Sequence, residues 1–269
     1  MRSNPRSLSK NRKAASPAVS MVIITAATVV LVLVSGNYAL QVLIRQQGAN
    51  EYDTVKKSLL TFDDAFRDIA FDRGGSRSVR FTTQYGYMEL VPEYENLSIS
   101  VAEFPALNET FGEIQMGAIK YHIPTSYVNH GDGCYSYVLG NEDVSVTSAT
   151  DSIGRLLESQ AANLTLSLDY RVRVTKEGPS TSVGGESVNY VDILVVRMNV
   201  TKPLNLFGDF DVIARNLAVT TQYVPVGDVD SSTYLVNVTM GGKTTTIPIA
   251  LDSGQLVFNL IIADIKVSN

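Results

Sequence analysis

The sequence predicts an α+β protein that is mainly β: a long N-terminal transmembrane α-helix continuing into an amphipathic helix, followed by an extracellular antiparallel β-sandwich. Three observations predict it. No charged residue occurs from Ala14 to Ile44, apolar residues then recur at helical spacing as far as Ile69, and from Ser76 onward strand-like runs alternate with turns.

The first element is a basic leader, residues 1–14, carrying Arg2, Arg6, Lys10, Arg12 and Lys13 and no acid. Behind it Met21 to Val34 reads MVIITAATVVLVLV, and about 20 such residues cross a bilayer core as a helix. The cations precede the apolar run, so the positive-inside bias puts the leader in the cytoplasm and everything after Arg45 outside. A secretory signal would carry a shorter run ending at a small-x-small site, which Asn37-Tyr38-Ala39 does not supply.

The helix is expected to continue beyond the bilayer. Tyr52, Val55, Leu59, Phe62, Phe66 and Ile69 follow one another at spacings of 3, 4, 3, 4 and 3, a heptad seam for helix packing, until Gly74-Gly75 stops it. Residues 15–73 then hold one helix of about 55 residues, about 80 Å long at about 1.5 Å per residue. Two partners suit the seam: helices of other copies, or the chain's own β-domain. A hinge falls at Asp72 to Arg77.

Arg12-Lys13-Ala14-Ala15-Ser16-Pro17-Ala18-Val19-Ser20, followed by the aliphatic run, resembles the N-terminus of archaeal type IV pilins and pilin-like proteins, over roughly residues 10 to 70. The resemblance implies that a prepilin peptidase cuts between Ala14 and Ala15, removing all five leader cations and freeing a hydrophobic helix to bundle with its neighbours. Bacterial pilins carry a glutamate at the fifth mature position, where this chain has Val19, so the likeness is to the archaeal kind.

Residues 76–269 read as the β-rich domain. Leu164, Leu166, Leu168, Tyr170, Val172 and Val174 alternate with polar residues, which predicts one half-buried strand, expected to pair as a long hairpin with Tyr190–Val200. Thr233–Met240 and Lys243–Leu251 flank Gly241-Gly242, a signal for a tight primed turn. Gln255–Val267 has the composition of a core strand, and shorter candidates are Val79–Thr83, Tyr87–Val91, Leu97–Val101, Ala118–Ile123 and Val144–Thr147. Ten or more strands without helices between them point to a sandwich.

Charge and cysteine content bound the function. The net charge of −5 hides the leader; without its five cations 17 basic residues face 27 acidic ones, so nucleic acid is not an expected partner. Cys134 is the only cysteine, so no disulfide closes within the chain, which at this size fits a prokaryotic surface protein stabilised by packing. Five N-x-[S/T] sequons, at Asn96, Asn108, Asn163, Asn199 and Asn237, all fall in the part expected outside and are candidate glycosylation sites.

Little in the sequence carries catalysis. The phosphate loop, the GxSxG elbow, HExxH and CxxC are absent, so no enzyme, cofactor or metal is expected. Two histidines, His122 and His130, cannot make a three-histidine zinc site. The one dense cluster is His130-Gly131-Asp132-Gly133-Cys134, whose spacing would suit a metal or a Cys/His nucleophile but which lacks a further ligand nearby in sequence. Asp228-Val229-Asp230-Ser231-Ser232 offers oxygen ligands but not a full calcium loop, and Glu142-Asp143 and Asp63-Asp64 read as solvated charges. The expected function is structural: a cell-surface, pilin-like subunit in the cell membrane or a surface filament, its partners being the lipid bilayer, copies of itself and the prepilin peptidase. The alternative is a monomeric, single-pass, membrane-anchored binding or adhesion module.

Overall fold

The computed structural model describes residues 16–176, 181–183 and 186–269; Ala14 and Ala15, the expected cut, lie outside them. Helix α1 spans Ser16–Ile69, as the apolar run and seam predict. The chain divides into two units, one ending at Gln47 and one running from Gly48 to Asn269. Within the first, every residue from Val19 to Gln47 is exposed, and the large apolar side chains between Val19 and Ile44 are 41–74% accessible. This helix is long and apolar enough to cross a membrane.

In the second unit the helix behaves oppositely. Tyr52, Val55, Leu59, Phe62, Phe66 and Ile69 are each 2% exposed or less and belong to the main core. The seam is therefore covered by the chain's own sheet and is not left open for other copies. Full burial of each such side chain contributes about 1.5–3 kcal/mol, which is why the seam folds inward. The helix ends where Asn216 donates its side-chain N–H groups to the carbonyls of Ile69 and Ala70, at 2.7 and 3.0 Å. Gly74, at φ 83°, then turns the chain, and Asp72–Arg77 is the expected junction between helix and sheet.

After α1 come β1 (Ser76–Val101), α2 (Ala106–Phe111), β2 (Glu113–Pro124), β3 (Tyr135–Leu139) and β4 (Ser145–Val146). Next are β5 (Gly154–Gln160), β6 (Asn163–Tyr170), β7 (Val172–Lys176), β8 (Thr181–Val183) and β9 (Glu186–Val200). The chain closes with β10 (Leu204–Val229), β11 (Ser232–Met240), β12 (Lys243–Leu251) and β13 (Gly254–Ser268). All thirteen described strands share one hydrogen-bonded network ordered β3-β5-β6-β2-β1-β10-β13-β9-β7-β4, with β11 and β12 extending from β1 and β8 from β9. Only Arg171 separates β6 from β7, yet the two stand far apart in that order, so the sheet must curl until its ends meet. Across the curl β2 approaches β9 so closely that a Cβ on Gly117 would stand 2.7 Å from the Met198 carbonyl.

Two strand expectations need correction. The run from Leu164 to Val174 is two strands: β6 pairs β5 and β2, and only β7 pairs β9. The break is at Arg171, whose N–H turns to the Ile153 carbonyl while that of Val172 turns to Val144. Nor is the sheet wholly antiparallel, because β13 and β9 run parallel from Gln255↔Val188 to Val267↔Val200, and β4 and β7 are parallel too. The Gly241-Gly242 hairpin is as expected, Met240 facing Lys243 across a two-residue turn with φ 59° and 78°.

Candidate functional site

The second half of α1 meets the sheet through a line of polar contacts as well as through its core. At its start Gly48 has no room for a side chain, a Cβ there standing 2.7 Å from the Tyr127 Cβ. One turn on, Glu51 accepts the backbone N–H groups of Gln84, Tyr85 and Gly86, at 2.7, 3.0 and 2.9 Å, and the Tyr121 hydroxyl at 2.7 Å. Those amides are consecutive because β1 loses register with β10 between Thr83 and Met88, and such a run of N–H groups makes an anion-binding concavity. Here the anion is the protein's own.

Tyr52 and Lys56 reach a second carboxylate, Glu158 of β5. The Tyr52 hydroxyl donates to Glu158 Oε2 at 2.5 Å, and Lys56 Nζ lies 3.1 Å from the same oxygen. The other oxygen, Oε1, faces the glycine-shaped loop between β2 and β3. His130 Nδ1 is 2.5 Å from it and Cys134 Sγ 4.0 Å. Burial opposes the charge on Glu158, but the hydrogen bonds from Tyr52, His130 and Lys56 outweigh it and hold the carboxyl below its ordinary range. The Tyr52 phenol is pushed well up, first by burial and then by Glu158, so it stays a donor.

Backbone geometry fixes the loop. Gly131 and Gly133 have φ of 98° and 75°, a region that favours glycine, and the Cys134 N–H closes a turn onto the Gly131 carbonyl at 3.1 Å. Gln160 ties the loop to β5: its N–H donates to the Cys134 carbonyl at 2.9 Å and its Oε1 accepts the His130 N–H at 2.7 Å. The Tyr52 ring meets the His130 imidazole edge-on, centroids 5.6 Å apart. His130, Cys134 and Glu158 thus bring an imidazole nitrogen, a sulfur and a carboxylate oxygen within 4.8 Å of one another. Asp132 is exposed and takes no part. The missing member of the sequence cluster was Glu158, and its signal was position: with Leu156 and Gln160 it lies on the inward face of β5, where a charge needs a partner.

The other residues singled out by sequence are spread over the domain. His122 is taken up by neighbours, Glu89 Oε2 at 3.2 Å, Thr165 Oγ1 at 3.0 Å and the stacked Tyr87 ring. Asp228 and Asp230 stay exposed beside Glu103 on a cleft of about 570 Å³. Asp63 is not solvated; it is 1% exposed and paired with Arg67 Nε at 3.0 Å, while Asp64 is the solvated member. Of the sequons, Asn96 and Asn108 are exposed and Asn163 half-buried, while Asn237 accepts from the Thr246 hydroxyl at 2.7 Å. Asn199 spends its amide nitrogen on Asp264, at 3.1 and 3.2 Å, so a glycan there would have to break an existing bond.

Comparison with known protein families, curated proteins and solved structures finds no match to this chain.

Proposed function

We propose that the protein is a structural cell-surface subunit of the pilin-like kind, held in the membrane or assembled through the Val19–Ile44 helix and presenting the β-domain outside the cell. One observation carries the reading: an aliphatic helix segment exposed along its whole length. Each such side chain left in water forgoes about 1.5–3 kcal/mol, so lipid or other helices must cover the segment. Contacts between copies then fall on this segment, because the Tyr52–Ile69 seam is used within the chain. The leader sequence supports cleavage between Ala14 and Ala15, and export would put the sequons where glycans are added. That internal use of the seam also favours the alternative, a monomeric anchored binding module whose bare segment meets only lipid.

Mass spectrometry of the chain from its native cell surface, together with electron microscopy of that surface, separates the two. A mature chain starting at Ala15 and present in filaments is the expected result. A chain that still begins at Met1 removes the processing claim, and a monomer in detergent with an intact leader leaves the anchored module.

A further inference from the structure

We propose that His130 Nδ1, Cys134 Sγ and Glu158 Oε1 bind a transition-metal dication that accepts a thiolate ligand, Zn²⁺ in the first instance. The proposal is independent of the surface role above. Three donors of different chemistry, drawn from a loop and a strand, lie within 4.8 Å, whereas ligands about 2.0–2.3 Å from one zinc ion stand roughly 3–4 Å apart. Binding therefore asks the His130–Glu158 pair, now 2.5 Å apart, to open and the Cys134 sulfur, 4.0 Å from Glu158, to draw in slightly.

The decisive feature is how Glu158 is divided. Its Oε2 is held from the helix side by Tyr52 and Lys56, and its Oε1 is turned toward His130 and Cys134. A ligating carboxylate is held in this way in metal sites, with its second oxygen hydrogen-bonded to an outer group that fixes its orientation. A thiolate and a carboxylate neutralise one dication, and the Lys56 ammonium beside Glu158 Oε2 leaves the site at net +1. The His130 side chain is 37% exposed, so the three donors can be reached from solvent, and a three-ligand set leaves a fourth position for water. The imidazole and thiolate select a borderline or soft dication over Ca²⁺ or Mg²⁺, which prefer all-oxygen sites. On binding, the Cys134 thiol gives its proton to solvent, the proton on His130 Nδ1 is relocated through solvent to Nε2, and the His130–Glu158 hydrogen bond is exchanged for two bonds to the metal.

The test uses the full chain in detergent, stripped with a chelator and titrated with Co²⁺ as a spectroscopic probe. The expected result is a sulfur-to-cobalt charge-transfer band in the near ultraviolet that Zn²⁺ displaces and that Cys134→Ser abolishes. His130→Gln, once its stripped form is shown to melt as the wild type does, should weaken Zn²⁺ binding by at least about tenfold, and Tyr52→Phe by about tenfold through the outer contact. Equal melting of the stripped wild-type and Cys134→Ser chains confirms that the serine variant is folded. Absence of the band in the wild type, or Zn²⁺ affinity that neither Cys134→Ser nor His130→Gln reduces, overturns the proposal.

Discussion

Asp63 sits beneath Gly154 because Gly154 has no side chain; a Cβ there would stand 2.0 Å from the Asp63 Oδ1. Burial raises the Asp63 carboxyl above its ordinary 3.8, with Arg67 opposing the shift. Folding therefore holds the Asp63 proton more tightly than the unfolded chain does. That contribution to stability is complete below about pH 3.8 and is lost as pH rises through the elevated folded value. Urea denaturation of wild type and Asp63→Asn between about pH 3.5 and 7 should show the wild type losing ground to the variant as pH rises; a constant difference would refute the assignment. Reading Asp63 and Asp64 as an equivalent solvated pair failed because neighbours on a helix are turned about 100° apart. Asp64 points outward, while Asp63 follows Phe62 toward the core. Glu158 was hidden for a related reason: sequence shows which face of β5 it occupies, but not that a loop some twenty-five residues earlier and a helix about a hundred residues earlier converge on it.

Between helix and sheet, the single contact with the largest polar consequence is Glu51. Its carboxylate supplies the acceptor for three consecutive amides of β1 and for Tyr121, whose phenol burial and Glu51 push well up. Hydrogen bonds to a charged group contribute about 1.5–3 kcal/mol, so Glu51→Ala should lower unfolding stability by roughly that amount. Hydrogen exchange should speed up at Gln84–Gly86 first, and unchanged protection there would show that the clamp is not what orders the bulge. Elements were legible in proportion to the contrast between their faces. The β11–β12 hairpin was plain, with a glycine pair between alternating runs. By contrast, the expected strands omit β10, although it is 26 residues long. Its inward positions include Ala214 and Asn216 and its outward ones include Phe207 and Tyr223, 67% and 68% exposed, so the period of two is blurred. The Leu164–Val174 run shows the converse limit. Alternation was right on both sides of Arg171, but periodicity says nothing of which neighbour a strand pairs with.

The molecule as a whole rests on a helix with two kinds of surface, and the two can be told apart by the same substitution made in each. Leu59 is fully buried in the core of the second unit, whereas Leu31 is 65% exposed in the first. Truncating a buried leucine costs about 2–5 kcal/mol through lost burial and the cavity left behind. Truncating an exposed one away from special features changes stability by about 0.5 kcal/mol or less. Leu59→Ala in detergent should therefore bring the β-domain's unfolding down by about 2–5 kcal/mol, with self-association altered only as far as the domain unfolds. Leu31→Ala should leave the same transition in place. If the Val19–Ile44 segment packs against other copies, that variant loosens their association, read by crosslinking or by filament yield; if the segment meets lipid alone, association is unmoved. Equal destabilisation of the β-domain by both variants would contradict the division at Gln47. The sequence pattern drew the division itself, an uncharged apolar run giving way to a charged helix with one apolar seam, but left the seam's partner open. That choice depends on a sheet within reach, built by long-range pairings such as β1 with β10 that no local window contains.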